Sequence, residues 1–260
     1  MKQKLPTIPG PIGVFDSGYG GLTILDKIRG LMPEYDYIYL GDSARCPYGP
    51  RSFEVVYEFT LQAVSKLFEL GCPLVILACN TASAKALRTI QQINLPVIDA
   101  TRRVLGVIRP TAECIGEITR SRHVGILATA GTIKSESYLL EIHKLSPDIV
   151  VTGEACPMWV SLVENNEYQS EGADYFVKQH INRLPVIDTI ILGCTHYPLL
   201  LDKIRQFTPG HIRIIAQGEY VARSLQDYLN RHPEMDARCE KGGKCRFLTT
   251  ESENKFEESA

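Results

Sequence analysis

The sequence predicts an α/β fold built from two related domains, each a mainly parallel sheet flanked by helices, with the active site in the cleft between them. Three observations carry this. Short β-rich runs alternate with longer helix-like segments, the pattern of parallel strands joined by crossover helices. The 260 residues, 44% of them hydrophobic, suffice for one large α/β unit or two small ones around real cores. The chain also repeats itself. IGVFDSG at 12–18 matches VGILATA at 124–130 with an offset of 112; GDSARCP at 41–47 matches GEACP at 153–157, the Cys-Pro pairs lying 110 apart; LVILAC at 74–79 matches TIILGC at 189–194, 115 apart. Three matches in one order at nearly one spacing indicate a duplication.

In chain order, a strand at 12–15 leads through a glycine-rich loop to a helix at 21–31. A strand at 37–40 leads through the Pro47-Tyr48-Gly49 turn to a helix at 53–70. The apolar run 74–78 reads as a buried strand before a helix at 81–93, and 97–98 reads as a short strand. The second half follows the same rhythm, with strands at 124–127, 149–151 and 189–192 and helices at 135–144, 173–183 and 199–207. A strand at 213–215, a helix at 219–231 and a last strand at 246–248 close the pattern, and the Glu- and Ser-rich 251–260 is expected to be disordered.

Composition excludes several classes of function. With 28 Lys+Arg against 30 Asp+Glu and a net charge of -2, the chain lacks the clustered cations that neutralise phosphates, so no nucleic acid is expected as a partner. The longest apolar runs, 74–78 and 190–192, fall far short of the roughly 20 residues of a membrane span. Residues 1–11 carry two lysines without an apolar core, so no secretory signal is read there and a cytoplasmic location is expected. The eight cysteines, Cys46, Cys72, Cys79, Cys114, Cys156, Cys194, Cys239 and Cys245, are diluted in a long chain and read as reduced thiols. None shows Cys-x-x-Cys spacing, and Cys239 and Cys245 lack partner histidines, so no metal site is expected.

Facing halves bring equivalent strand ends to one cleft, where ligands bind in parallel α/β folds, and this singles out Asp16/Thr129, Cys46/Cys156 and Cys79/Cys194. Cys79 ends a strand and precedes Asn80-Thr81-Ala82-Ser83 and a helix, a position expected to lower its pKa. Cys194 sits likewise before Thr195-His196-Tyr197-Pro198, with His196 as a proton carrier two residues on. A single buried cysteine is usually a small hydrophobe, but two at equivalent strand ends beside polar residues suit chemistry better. Opposed thiols can remove a proton from one face of a carbon and return one to the other. Asp16 ends the first strand before Ser17-Gly18-Tyr19-Gly20-Gly21, a loop that fits neither the dinucleotide nor the P-loop fingerprint and so suits a small anion. Glu164 by itself reads as a surface helix carboxylate.

At Asp16-Ser17-Gly18, Pro47-Tyr48-Gly49, Cys79-Asn80-Thr81-Ala82-Ser83 and Cys194-Thr195-His196-Tyr197-Pro198-Leu199, with Ala128-Thr129-x-x-Thr132 between, the sequence resembles the aspartate/glutamate racemase family over about 12–249. The Asp-Ser-Gly and Pro-Tyr-Gly motifs look like its glutamate branch. The resemblance implies a cofactor-independent racemase acting on glutamate by a two-thiol acid/base mechanism, feeding peptidoglycan synthesis, with a homodimer as the expected assembly. It implies Cys79 and Cys194 as the acid/base pair, Asp16 assisting the first thiol and His196 with Glu164 the second. Ser17, Tyr48, Gly49, Asn80, Thr81, Thr129, Thr132 and Thr195, together with Asp16 and His196, match substrate-binding positions. Gln217 and Ser161 depart from the family's acidic residue and proline. The implied organisation is a first domain of 1–100 plus 208–260, carrying Cys79, and a second of 101–207, carrying Cys194; a weak echo of 96–99 in 213–217 suits a crossover there. Thiol-disulfide exchange lacks a resolving cysteine here, a two-lobed binding protein has no need of both thiols, and a pyridoxal-phosphate racemase needs a Schiff-base lysine that no motif singles out.

Overall fold

The structure, a computed structural model, describes residues 9–252 and 254. Most of 251–260, read above as disordered, and most of 1–11 lie outside the described residues.

Among the described residues, nine strands form two parallel sheets. The first contains β1 (Ile12–Asp16), β2 (Tyr37–Gly41), β3 (Leu74–Leu77), β4 (Arg103–Gly106) and β9 (Cys245–Thr249) in the order β4-β3-β1-β2-β9. The second contains β5 (His123–Ala128), β6 (Val150–Ala155), β7 (Thr189–Gly193) and β8 (Arg213–Ile215) in the order β6-β5-β7-β8. Every pairing between these strands is parallel. In each sheet the first strand lies between the second and third, and the fourth extends the third, so the repeat in the sequence is a repeat of topology. Strands β1, β2, β3 and β7 are buried along their whole length, which explains their unbroken apolar runs.

Helices cover the sheets. In the first half they are α1 (Leu22–Leu31), α2 (Phe53–Glu69), α3 (Asn80–Lys85), α4 (Leu87–Thr89) and α5 (Leu95–Asp99), with a π-helical turn at Ile90–Asn94. In the second they are α6 (Ile108–Ile118), α7 (Ala130–Lys134), α8 (Ser137–Leu145), α9 (Trp159–Glu164), α10 (Glu171–Ile181) and α11 (Leu201–Phe207), followed by α12 (Gly218–Arg231) and α13 (Pro233–Asp236). Helix α2 starts where Ser52 accepts from the Val55 N–H and buries Val56, Thr60, Ala63, Val64, Leu67 and Phe68, one stripe of its surface. Helix α12 buries Val221, Ala222, Leu225 and Leu229 at the same spacing and packs on α1, so the chain leaves the second sheet and returns to the first half.

Two expectations need correction. Residues 97–98 are helical: Pro96 sits in the first turn of α5, and Val97 is 85% exposed with no neighbouring strand. The strand that belongs there is β4, hidden in the sequence because Arg103 opens it and Gly106 ends it. The true repeat partner of β8 is therefore β4, and 96–99 plays no part. Strand β4 (Arg103–Gly106) lies at the edge of the first sheet and β8 (Arg213–Ile215) at the edge of the second. The long helix read at 81–93 is broken into α3, α4 and the π turn, and α6 was not anticipated.

Candidate active site

The strand ends nominated by the repeat converge. Asp16, the last residue of β1, is fully buried; its Oδ2 accepts from the Gly18 N–H at 3.1 Å and its Oδ1 from the Thr195 hydroxyl at 3.2 Å, joining the first half to the second. Its pKa is raised by burial, offset by the charge of His196 and by these hydrogen bonds.

Cys79 follows β3 and caps α3. Its Sγ lies 3.4 Å from Ser17 Oγ and accepts from the Ala82 N–H at 3.4 Å. The lowered pKa expected from a helix N-terminus is not what this site gives. Burial, reinforced by the Asp16 carboxylate and by Cys194, pushes the Cys79 thiol up to about 12, while Ser17 and Ala82 pull the other way. Helix α3 has six residues, too few for its dipole to win against desolvation.

Cys194 follows β7, and here the local structure differs. Its helix begins later, with a 3-10 turn at Tyr197–Leu200 before α11, so Cys194 does not cap a helix. It has His196 instead. Cys194 Sγ lies 3.9 Å from His196 Nδ1, and His196 Nε2 is 2.5 Å from Glu164 Oε1 at the end of α9. Burial alone would lower the His196 pKa, but hydrogen bonds to Cys194 and Glu164 outweigh it and hold the ring up at about 10. Glu164 is thus no free surface carboxylate. The glycine loop serves this arrangement: a Cβ at Gly20 would sit 2.5 Å from His196 Nδ1, and one at Gly18 would sit 2.8 Å from Glu164 Oε1. Those glycines make room for side chains.

A hydroxyl cluster joins the halves beside the thiols. Thr81 Oγ1 is 2.8 Å from Thr129 Oγ1 and 3.3 Å from Thr132 Oγ1, and Thr129 also caps α7 through the Thr132 N–H. Gly49 lies against it, its carbonyl accepting from the Gly131 N–H; a Cβ there would sit 2.8 Å from Thr129. Tyr48 is buried, but its hydroxyl is spent on Asp42. The thirteen residues matched through the family resemblance lie in this region or its wall, with the Tyr48 side chain facing away into Phe15 and Phe59.

Sequence reasoning missed several supporting residues. Gln217, noted only as a departure, accepts from Asn80 Nδ2 at 2.7 Å and donates to Tyr138 OH at 2.6 Å and Thr111 Oγ1 at 2.9 Å; Tyr138 OH in turn donates to Asn80 Oδ1. Tyr138 had no signal beyond being an aromatic at a core position. Cys46, which the repeat singles out with Cys156, does reach the site, and there its thiol donates to Glu164 Oε1 at 3.6 Å, a partner no spacing could reveal. Tyr19 donates to the Val163 carbonyl and sets its ring edge against His196.

Among known proteins, the family described as Asp/Glu/Hydantoin racemase matches residues 23–225. The chain belongs to this family. As a member of the Asp/Glu/hydantoin racemases it is 38% identical over 253 residues to the glutamate racemase of Shouchella clausii, covering 96% of this chain and 88% of that one. Its structure is similar to that of a glutamate racemase isoform of Bacillus anthracis, with a TM-score of 0.87 and 36% identity over 96% of this chain and 91% of the other. It is also similar to the Francisella tularensis glutamate racemase in complex with D-glutamate, with a TM-score of 0.83 and 32% identity over 96% and 92% of the two chains. Among the described residues, no helix is long and apolar enough to cross a membrane.

Proposed function

We propose that this chain is a glutamate racemase that interconverts L- and D-glutamate without a cofactor, using Cys79 and Cys194 as its acid/base pair. One observation carries the reading: two thiols close equivalent strands of a duplicated sheet, and each has its own proton-handling group, Asp16 for Cys79 and His196–Glu164 for Cys194. One thiolate takes the α-proton, breaking C–H and forming S–H, while the opposite thiol gives its proton to the other face of the carbon. The substrate ammonium supplies a positive charge that favours the attacking thiolate. Ser17, Asn80, Thr81, Thr129, Thr132 and Thr195 offer hydroxyl and amide groups for two carboxylates without a cationic clamp, and Tyr48 and Gly49 contribute through their backbone. The glutamate assignment is supported by the relatives' activity and by D-glutamate in the Francisella protein. The physiological reading is a cytoplasmic homodimer that supplies D-glutamate for peptidoglycan.

Proton NMR of L-glutamate and, separately, D-glutamate in deuterated water, followed together with optical rotation, tests the reading. Loss of both the α-proton signal and the rotation from either enantiomer is expected. Exchange with aspartate but not glutamate overturns the substrate, and silence with both overturns the activity.

A further inference from the structure

Cys46, Glu164 and His196 offer three different ligand atoms, all within 4.8 Å of one another, and come from three separate segments of the chain. Cys46 follows the short helical turn at Ser43–Arg45, Glu164 ends α9, and His196 follows β7. We propose that this trio binds a thiophilic divalent cation, zinc above all, and that zinc held there shuts off the catalytic site. The shut-off rests on the function proposed above; the binding does not.

The geometry is close to that of a tetrahedral site. Ligands at the usual Zn–S of about 2.3 Å and Zn–O and Zn–N of about 2.0–2.2 Å stand roughly 3.4–3.6 Å apart. Cys46 Sγ already lies 3.6 Å from Glu164 Oε1. The His196–Glu164 contact, at 2.5 Å, must open by about 0.9 Å for an ion to enter between donors that now share a hydrogen bond, and Cys46 Sγ lies within 4.8 Å of the His196 nitrogen. A thiolate, an imidazole and a carboxylate form a donor set suited to zinc rather than to magnesium or calcium, which want oxygen alone.

Access and support are both present. The Glu164 side chain is 24% exposed and Cys46 is partly exposed, so an ion can reach two of the three donors from solvent. His196 is held from behind, its Nδ1 facing Thr195 and Cys194, which leaves Nε2 as the nitrogen that points to the trio. Gly18 carries no side chain on that side, where a Cβ would sit 2.8 Å from Glu164 Oε1 and 3.2 Å from Cys46 Sγ. With three protein donors the fourth position stays open to water.

Binding replaces two protons, one from the Cys46 thiol and one from the hydrogen bond between His196 and Glu164, with a single divalent ion, and nothing is oxidised or reduced. The consequence is functional. An ion on Nε2 and Oε1 takes the His196–Glu164 pair away from Cys194, so racemisation stops in both directions while Cys79 and its surroundings are untouched.

The test uses cobalt(II) as an optical stand-in and zinc alone as the inhibitor, on the metal-free full-length protein. One equivalent of cobalt is expected to give an intense thiolate-to-metal charge-transfer band with tetrahedral d–d absorption. Cys46→Ser is expected to abolish that band, to weaken zinc binding by calorimetry at least about tenfold, and to raise the zinc concentration for half-inhibition by the same factor. Glu164→Gln, with its fold checked by circular dichroism, is expected to weaken zinc binding without removing the band. Cys79→Ser and Cys194→Ser are expected to keep it. A band that survives Cys46→Ser, a band lost with Cys79→Ser or Cys194→Ser, or no zinc binding at all overturns the site. A wild-type protein without racemase activity overturns the proposed function instead, and the cobalt band still decides the metal.

Discussion

The two halves of the molecule carry the same strands in the same order, yet they treat the thiol at the equivalent strand end in opposite ways. Cys79 is surrounded by a hydroxyl, one backbone N–H and a buried carboxylate, and burial with the nearby Asp16 charge holds it protonated. Cys194 faces an imidazole that its hydrogen bonds keep charged well above neutrality. Duplication explains where the thiols stand; divergence in the segments that follow the strands gives each a different set of polar neighbours. Under the proposed function, a symmetric reaction is run by an asymmetric pair of relays.

The bluntest way to break the comparison is to remove either thiol. Cys79→Ala and Cys194→Ala are each expected to lower kcat by a factor on the order of a thousand or more in both directions, because each direction needs one base and one acid. Initial rates from pure L- and pure D-glutamate check this. Full turnover with either variant would mean that one thiol suffices.

Removing the assisting groups sharpens the asymmetry. Asp16→Asn and His196→Asn are each expected to cost about 10²–10⁴ in rate. Since a racemase has an equilibrium constant of one, kcat/KM must fall equally in the two directions and cannot report the difference. The α-deuterium isotope effect can. Asp16→Asn is expected to raise it for the enantiomer deprotonated by Cys79, and His196→Asn for the other one. Equal changes for both enantiomers in both variants would mean that the relays are shared.

Gln217 tests what joins the halves. It ties Asn80, next to Cys79, to Tyr138 on α8 and Thr111 on α6, and it is only 2% exposed. Gln217→Ala leaves buried donors and acceptors without partners and is expected to destabilise the protein by about 2–3 kcal/mol in urea unfolding, with KM for glutamate rising as Asn80 loosens. An unchanged midpoint would place the coupling in the Thr81–Thr129–Thr132 cluster.

How much of this was legible depended on whether the signal was local or spatial. The buried strands were plain because burial on both faces writes an apolar run, as in β3 and β7. The repeat put Asp16, Cys79 and Cys194 at strand ends, and that is where they lie. Strand β4 escaped because it is short and opens on an exposed Arg103, and Val97–Ile98 imitated a strand through β-branched residues that proline had placed in a helix. The raised pKa of Cys79 escaped because a capping position is visible in sequence whereas desolvation is not. Tyr138 reaches Asn80 across 58 residues, and Cys46, which the repeat does point to the cleft, reaches Glu164 across 118, partners that only the folded chain could reveal.

The last expected effect is a difference in how the two halves respond to pH. His196 has a folded pKa of about 10, above the roughly 6.5 of an unfolded histidine. Its contribution to stability is therefore fully present below about 6.5 and is lost as the pH rises through 10. Cys79, raised to about 12 from the ordinary thiol range near 8.5, contributes fully below that range and loses its share only as the pH climbs from there towards 12. Urea unfolding in a chelating buffer checks both windows. The stability gap between wild type and His196→Asn is expected to shrink from pH 6.5 upward, while the gap to Cys79→Ala stays flat until about pH 8.5 and changes only above it. If both gaps moved over the same pH range, the two thiols would share one electrostatic environment and the asymmetry between the halves would be confined to hydrogen bonding.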